Sequence, residues 1–78
     1  MNKHQPLQLL TPAEYAADRP QIFPRSSSLL WFERAHRAEL VECGALLMPT
    51  GRKLINPSAF DAAVARIGKR MATPQAER

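Results

Sequence analysis

A mainly helical fold with one small β-hairpin, in the order helix, helix, hairpin, helix, is what this sequence predicts. Three observations carry the prediction. Pro49-Thr50-Gly51 separates the apolar runs Ala45-Leu46-Leu47-Met48 and Leu54-Ile55, which is turn chemistry between two short strands. Phe60, Val64 and Ile67 recur at i, i+4 and i+7 directly after Asn56-Pro57, a cap followed by a first-turn proline. Thr11-Pro12-Ala13-Glu14 is a further helix start, with Thr11 as cap, Pro12 in the first turn and Glu14 completing a capping box.

Taken in order, residues 1–9 form a lead and the first helix runs from Pro12 to near Asp18, because Pro20 disfavours a helical Arg19. Leu10 and Tyr15 are its expected core contacts, and Ile22 and Phe23 are expected to tuck inward from the connector. One of Ser26 or Ser27 is expected to cap the second helix. Leu29, Phe32 and His36 share one face of it, with Trp31 and Ala35 beside them. Residues 37–42 either continue this helix or form a second short one after a bend. Cys43-Gly44 ends the stretch, with Gly44 able to take the left-handed conformation. The last helix opens at Pro57, is weakened by Gly68, and carries Lys69 and Arg70 where cations complement its C-terminal dipole. The expected domain is 10–71, followed by a tail over 72–78.

At 78 residues there is one small domain, which buries roughly 60% of its unfolded surface. The single Cys43 excludes an internal disulfide and a multi-cysteine zinc site, and His4 and His36 are far apart in sequence. No apolar run approaches the ~20 residues of a membrane span, and the first residues lack a signal-peptide apolar stretch. A cytoplasmic location and no membrane partner are therefore expected. Neither Cys43 nor Ser26-Ser27-Ser28 stands in a nucleophile motif, and Gly51-Arg52-Lys53 lacks the spacing of a phosphate-binding loop. The expectation is a non-enzyme with no cofactor and no small-molecule substrate, and Cys43 reads as a small buried residue.

The net charge of +4 is unevenly distributed. Five cations balance five acids over 1–44, whereas six cations face only Asp61 and Glu77 over 45–78. A basic half on a small domain suggests a polyanion partner.

Two helices followed by a two-stranded hairpin and a last helix is winged helix-turn-helix architecture. The residues that carry it, Leu10-Thr11-Pro12-Ala13-Glu14-Tyr15-Ala16, Ser27-Ser28-Leu29-Leu30-Trp31-Phe32, Gly51-Arg52-Lys53-Leu54-Ile55 and Asn56-Pro57-Ser58-Ala59-Phe60, resemble the small MerR-like winged helix-turn-helix proteins. That group includes phage and plasmid excisionases and small phage-type regulators found near integrase genes. The resemblance covers most of 10–67. One departure is that residues 34–43 are longer than the usual turn between second helix and wing, and Glu33, Glu39 and Glu42 must point away from any phosphate.

The resemblance implies a double-stranded DNA-binding protein of a mobile element. In the excisionase form, copies of the protein bind side by side as a homo-oligomer on DNA and bend it to direct a recombinase or integrase. Bending a 20–30 bp site costs on the order of 1–6 kcal/mol, which repeated phosphate contacts could offset. A small transcriptional regulator of the same fold is the alternative. The candidate recognition residues are Arg25, Ser27, Ser28, Arg34 and Arg37 on or beside the second helix, with Arg34 also able to form an ion pair within the helix. The candidate wing contacts are Thr50, Gly51, Arg52 and Lys53, and Lys69 and Arg70 are further phosphate candidates. A different class of reading is a protein-interaction module using Leu30, Trp31 and the acidic 33–42 stretch. Otherwise Trp31 is expected in the core or at a subunit contact.

Overall fold

The computed structural model describes residues 8–73. Most of the expected 1–9 lead and 72–78 tail lies outside the described residues. The chain forms α1 (Pro12–Ala17), α2 (Ser26–Ala35), α3 (Arg37–Glu42), β1 (Leu46–Leu47), β2 (Leu54–Ile55) and α4 (Pro57–Ala72). It is mainly helical with a small two-stranded antiparallel sheet, in the order expected.

The capping box of α1 is present in both directions. The Glu14 amide donates to Thr11 Oγ1 at 3.2 Å and the Thr11 amide donates to Glu14 Oε1 at 2.9 Å. α2 departs from expectation, since its cap is Arg25 and no side chain accepts from its first amides. Ser26 and Ser27 are inside the helix instead. The chain breaks at His36, with φ −127° and ψ 27°, so 37–42 is a separate helix. Gly44 follows at φ +82°, the left-handed conformation that ends α3 and turns the chain into β1.

The hairpin pairs Leu46 with Ile55 and Leu47 with Leu54. Its turn is closed by the Gly51 amide donating to the Met48 carbonyl at 3.4 Å, with Gly51 at φ +84°. Leu10 forms an isolated bridge on the other edge of β2, exchanging hydrogen bonds of 2.8 and 2.7 Å with Ile55. The segment before α1 is therefore tied to the hairpin by backbone as well as by the Leu10 side chain. Asn56 Oδ1 accepts from the Ala59 amide and opens α4, which runs through Gly68 to Ala72.

The core is aromatic at its centre. Tyr15 and Phe60 lie 4.7 Å apart, Phe23 and Phe32 5.6 Å, and Phe32 and Phe60 5.9 Å between ring centroids. Leu29, Leu40, Ala45, Leu46, Ile55, Ala63 and Ile67 complete it. Each large side chain buried in this way contributes about 1.5–3 kcal/mol. At least one residue from every helix and both strands enters the cluster, so the hairpin is held to the helices by its own apolar face.

Two burial expectations fail and a third is narrowed. Trp31 is 61% exposed, which removes the core and leaves the subunit contact of its two expected places, and Ile22 is also exposed while its neighbour Phe23 is buried. Cys43 is exposed, because the turn after α3 directs Leu40 and Ala45 inward on either side of it. Among the described residues, no helix is long and apolar enough to cross a membrane.

Candidate nucleic-acid interface

The charged residues separate into those with partners inside the molecule and those without. Arg19 grips Asp61 through two hydrogen bonds, Nε to Oδ1 at 2.7 Å and Nη2 to Oδ2 at 2.8 Å. The Arg19 guanidinium carbon stands 4.0 Å from the centroid of the Tyr15 ring, whose hydroxyl also donates to Asp61. Burial pushes the Tyr15 hydroxyl well above its usual range, and the Asp61 carboxylate beside it reinforces this. The hydrogen bond from Arg19 lowers the Asp61 carboxyl.

On α4, Arg66 Nε donates to Glu39 Oε2 at 3.0 Å and Arg70 Nη2 donates to Glu39 Oε1 at 2.8 Å. Hydrogen bonds from Arg70 and then Arg66 bring the Glu39 carboxyl down to about 2. Arg70, expected as a phosphate contact, is thus engaged in joining α4 to α3.

Lys53 is likewise engaged. Its Nζ donates to Glu33 Oε1 at 2.8 Å, and Glu33 is 2% exposed. Glu33 lies four residues after Leu29, on the buried side of α2, and among the described residues its carboxylate has no ion-pair partner other than the half-buried Lys53. The pair holds the base of the turn against α2. It was legible as a position, since i, i+4 from Leu29 is the inward face, but a glutamate there does not announce its partner.

Arg25, Arg34, Arg37, Arg52 and Lys69 are exposed and form no ion pair among the described residues. The expected intrahelical pair of Arg34 is absent. Ser26 and Ser27 are exposed in the first turn of α2, Ser28 is half-buried, and Thr50, Gly51 and Arg52 are exposed at the turn.

These two regions meet. A groove of about 400 Å³ is lined by Pro12 and Ala13 from α1, Ser26, Ser27, Leu29, Leu30 and Glu33 from α2, and Lys53 from the hairpin. The N-terminal half of α2 and the base of the hairpin therefore border one surface, with Arg25 before α2 and Arg52 next to Lys53. Guanidinium groups without internal partners can bind phosphate oxygens or a guanine edge through paired donors. Glu33 and Glu39, which would repel a phosphate, are both neutralised by cations within the fold. Glu42 is exposed at the end of α3.

Comparison with protein-family models, curated proteins and solved structures finds no match.

Proposed function

We propose that this chain is a winged helix-turn-helix protein that binds double-stranded DNA, with α2 as the recognition helix and the turn between β1 and β2 as the wing. The observation that carries the reading is the distribution of unpaired charge. Arg25, Arg34, Arg37 and Arg52 are exposed without acidic partners, while Glu33 and Glu39 in the same stretch are neutralised. A recognition helix enters the major groove by its N-terminal residues, which here are Ser26, Ser27 and Ser28 behind Arg25. Arg52 at the wing would lie on the adjacent backbone, with Thr50 and Gly51 beside it. Lys53 acts by bracing the wing on α2, and Lys69 remains available to phosphate at the far end of α4.

The biological role proposed is that of an excisionase-like factor of a mobile element, bending DNA for a recombinase. A transcriptional regulator would use the same surface. Adding the protein to a recombinase reaction on DNA carrying the specific site separates the two, since only the first changes the direction of recombination, whereas regulators also bend DNA.

The test of DNA binding is fluorescence anisotropy with a generic labelled duplex across a salt series. If the four arginines each neutralise one phosphate, log affinity falls with log salt with a slope of about −3.6. Arg52→Glu, whose side chain has no internal partner, should remove most of this binding and leave the fold intact. Lys53 is unsuitable for the same charge reversal, because it would strand Glu33. A folded protein that fails to bind the duplex at low salt would overturn the reading.

A further inference from the structure

Two large apolar side chains stand exposed on α2, between Arg25 at its start and Arg34 and Arg37 at and beyond its end. Trp31 is 61% and Leu30 42% exposed, although eleven apolar residues among those described are buried. Ser27, Leu30, Trp31 and Arg34 are spaced i, i+3, i+4 and i+7, so they form one stripe along α2. All four are exposed. Over 25–37 every exposed charge is an arginine, since Glu33 is buried against Lys53. Leu30 and Ser27 also line the groove that reaches Lys53 on the hairpin.

An apolar pair bracketed by cations fits a ligand that is anionic at its edges and apolar at its centre. The major groove of duplex DNA has that character wherever thymine occurs, with phosphates flanking an exposed C5-methyl. An acidic protein partner would match the arginines but leaves the indole and the leucine side chain to find a matching apolar pocket. We infer that Leu30 and Trp31 are specificity-determining residues that pack on thymine methyls, while Arg34 and Ser27 along the same stripe take polar base edges or phosphate. This rests on the proposed DNA-binding reading and deepens it by naming the base feature that the site must contain.

The experiment selects bound duplexes from a randomised library and then remakes the selected duplex with deoxyuridine in place of each thymine, which deletes only the methyl. The wild-type protein should lose about fourfold in affinity for each methyl that it buries. Leu30→Ala and Trp31→Ala, both at exposed positions and checked for folding by circular dichroism, should become insensitive to the replacement at their own thymine.

Selected sites in which deoxyuridine changes nothing would overturn the inference while leaving DNA binding in place. So would variants that keep the full discrimination of the wild-type protein. Sedimentation that finds a dimer dissolved by Trp31→Ala would overturn it in favour of a second copy of the chain on this stripe. Failure of the folded protein to bind either the library or the generic duplex would overturn both readings together.

Discussion

The arginines of α4 and the arginines of α2, α3 and the hairpin are the same residue type used in opposite ways. Arg66 and Arg70 converge on Glu39 and tie the last helix to α3, so their charge is compensated where it stands. Arg25, Arg34, Arg37 and Arg52 have no such partner among the described residues. By residue count the excess positive charge belongs to 45–78. By availability it belongs to the stretch from Arg25 to Arg52, because Lys53, Arg66 and Arg70 are engaged by Glu33 and Glu39. A charge tally along a sequence thus measures what a domain carries, and tertiary pairing decides which part of it faces a partner.

The largest test of that contrast is Lys53→Met against Arg52→Met. Removing Lys53 leaves the Glu33 carboxylate buried without a counter-charge, which costs about 2–4 kcal/mol after allowing for the partial exposure of the lysine head. Arg52→Met should change stability by less than about 0.5 kcal/mol. Urea unfolding measures both, and equal small losses would mean that the Lys53 pair does not hold the hairpin. The double variant Glu33→Leu/Lys53→Met should recover much of the loss, since no charge then remains buried.

A smaller effect is expected at the turn that carries Arg52. Gly51→Ala places a Cβ on a residue at φ +84° with open space around it, so the cost is backbone strain alone, about 1–2 kcal/mol. Thermal unfolding would register it. A neutral result would show that the turn relaxes out of the left-handed conformation.

Arg34→Ala and Arg52→Ala should each reduce the salt slope of duplex binding by about 1, and Arg66→Ala should leave it unchanged. An equal fall in all three would erase the distinction between paired and unpaired arginines.

The smallest effect is acid sensitivity. The Glu39 carboxyl is lowered from 4.5 to about 2 by its arginine partners, so the folded state holds fewer protons there than the unfolded chain. Its contribution to stability is complete above pH 4.5 and disappears as pH falls toward about 2. Asp61, lowered by Arg19, has the same sign. Urea midpoints measured down this range should fall less steeply for Glu39→Gln than for the unmodified chain, and identical slopes would mean that the pairing with Arg66 and Arg70 adds nothing.

Much of the fold was legible where the signal is local. Thr11 and Glu14 complete a box within one turn, Asn56 and Pro57 start α4, and Gly44 and Gly51 take the positive φ that their turns need. The 3.6-residue recurrence of Phe60, Val64 and Ile67 marks the face that packs on Tyr15 and Phe32. The cap of α2 was misjudged because three consecutive serines offer equivalent caps and none is used. Trp31 lies outside the core because α2 is wide enough in apolar residues to suggest two inward faces, while the partners pack only on that of Leu29 and Phe32.

The sequence by itself determined the order of elements, their turns and the apolar face of α4, since each depends on residues within a few positions of one another. Only the tertiary structure decided which charges are free and which apolar side chains remain outside. Glu33 and Lys53 are twenty residues apart, and Glu39 and Arg70 thirty-one. Whether such a pair meets depends on how α2, α3, the hairpin and α4 settle on a shared core, a geometry that no local propensity encodes.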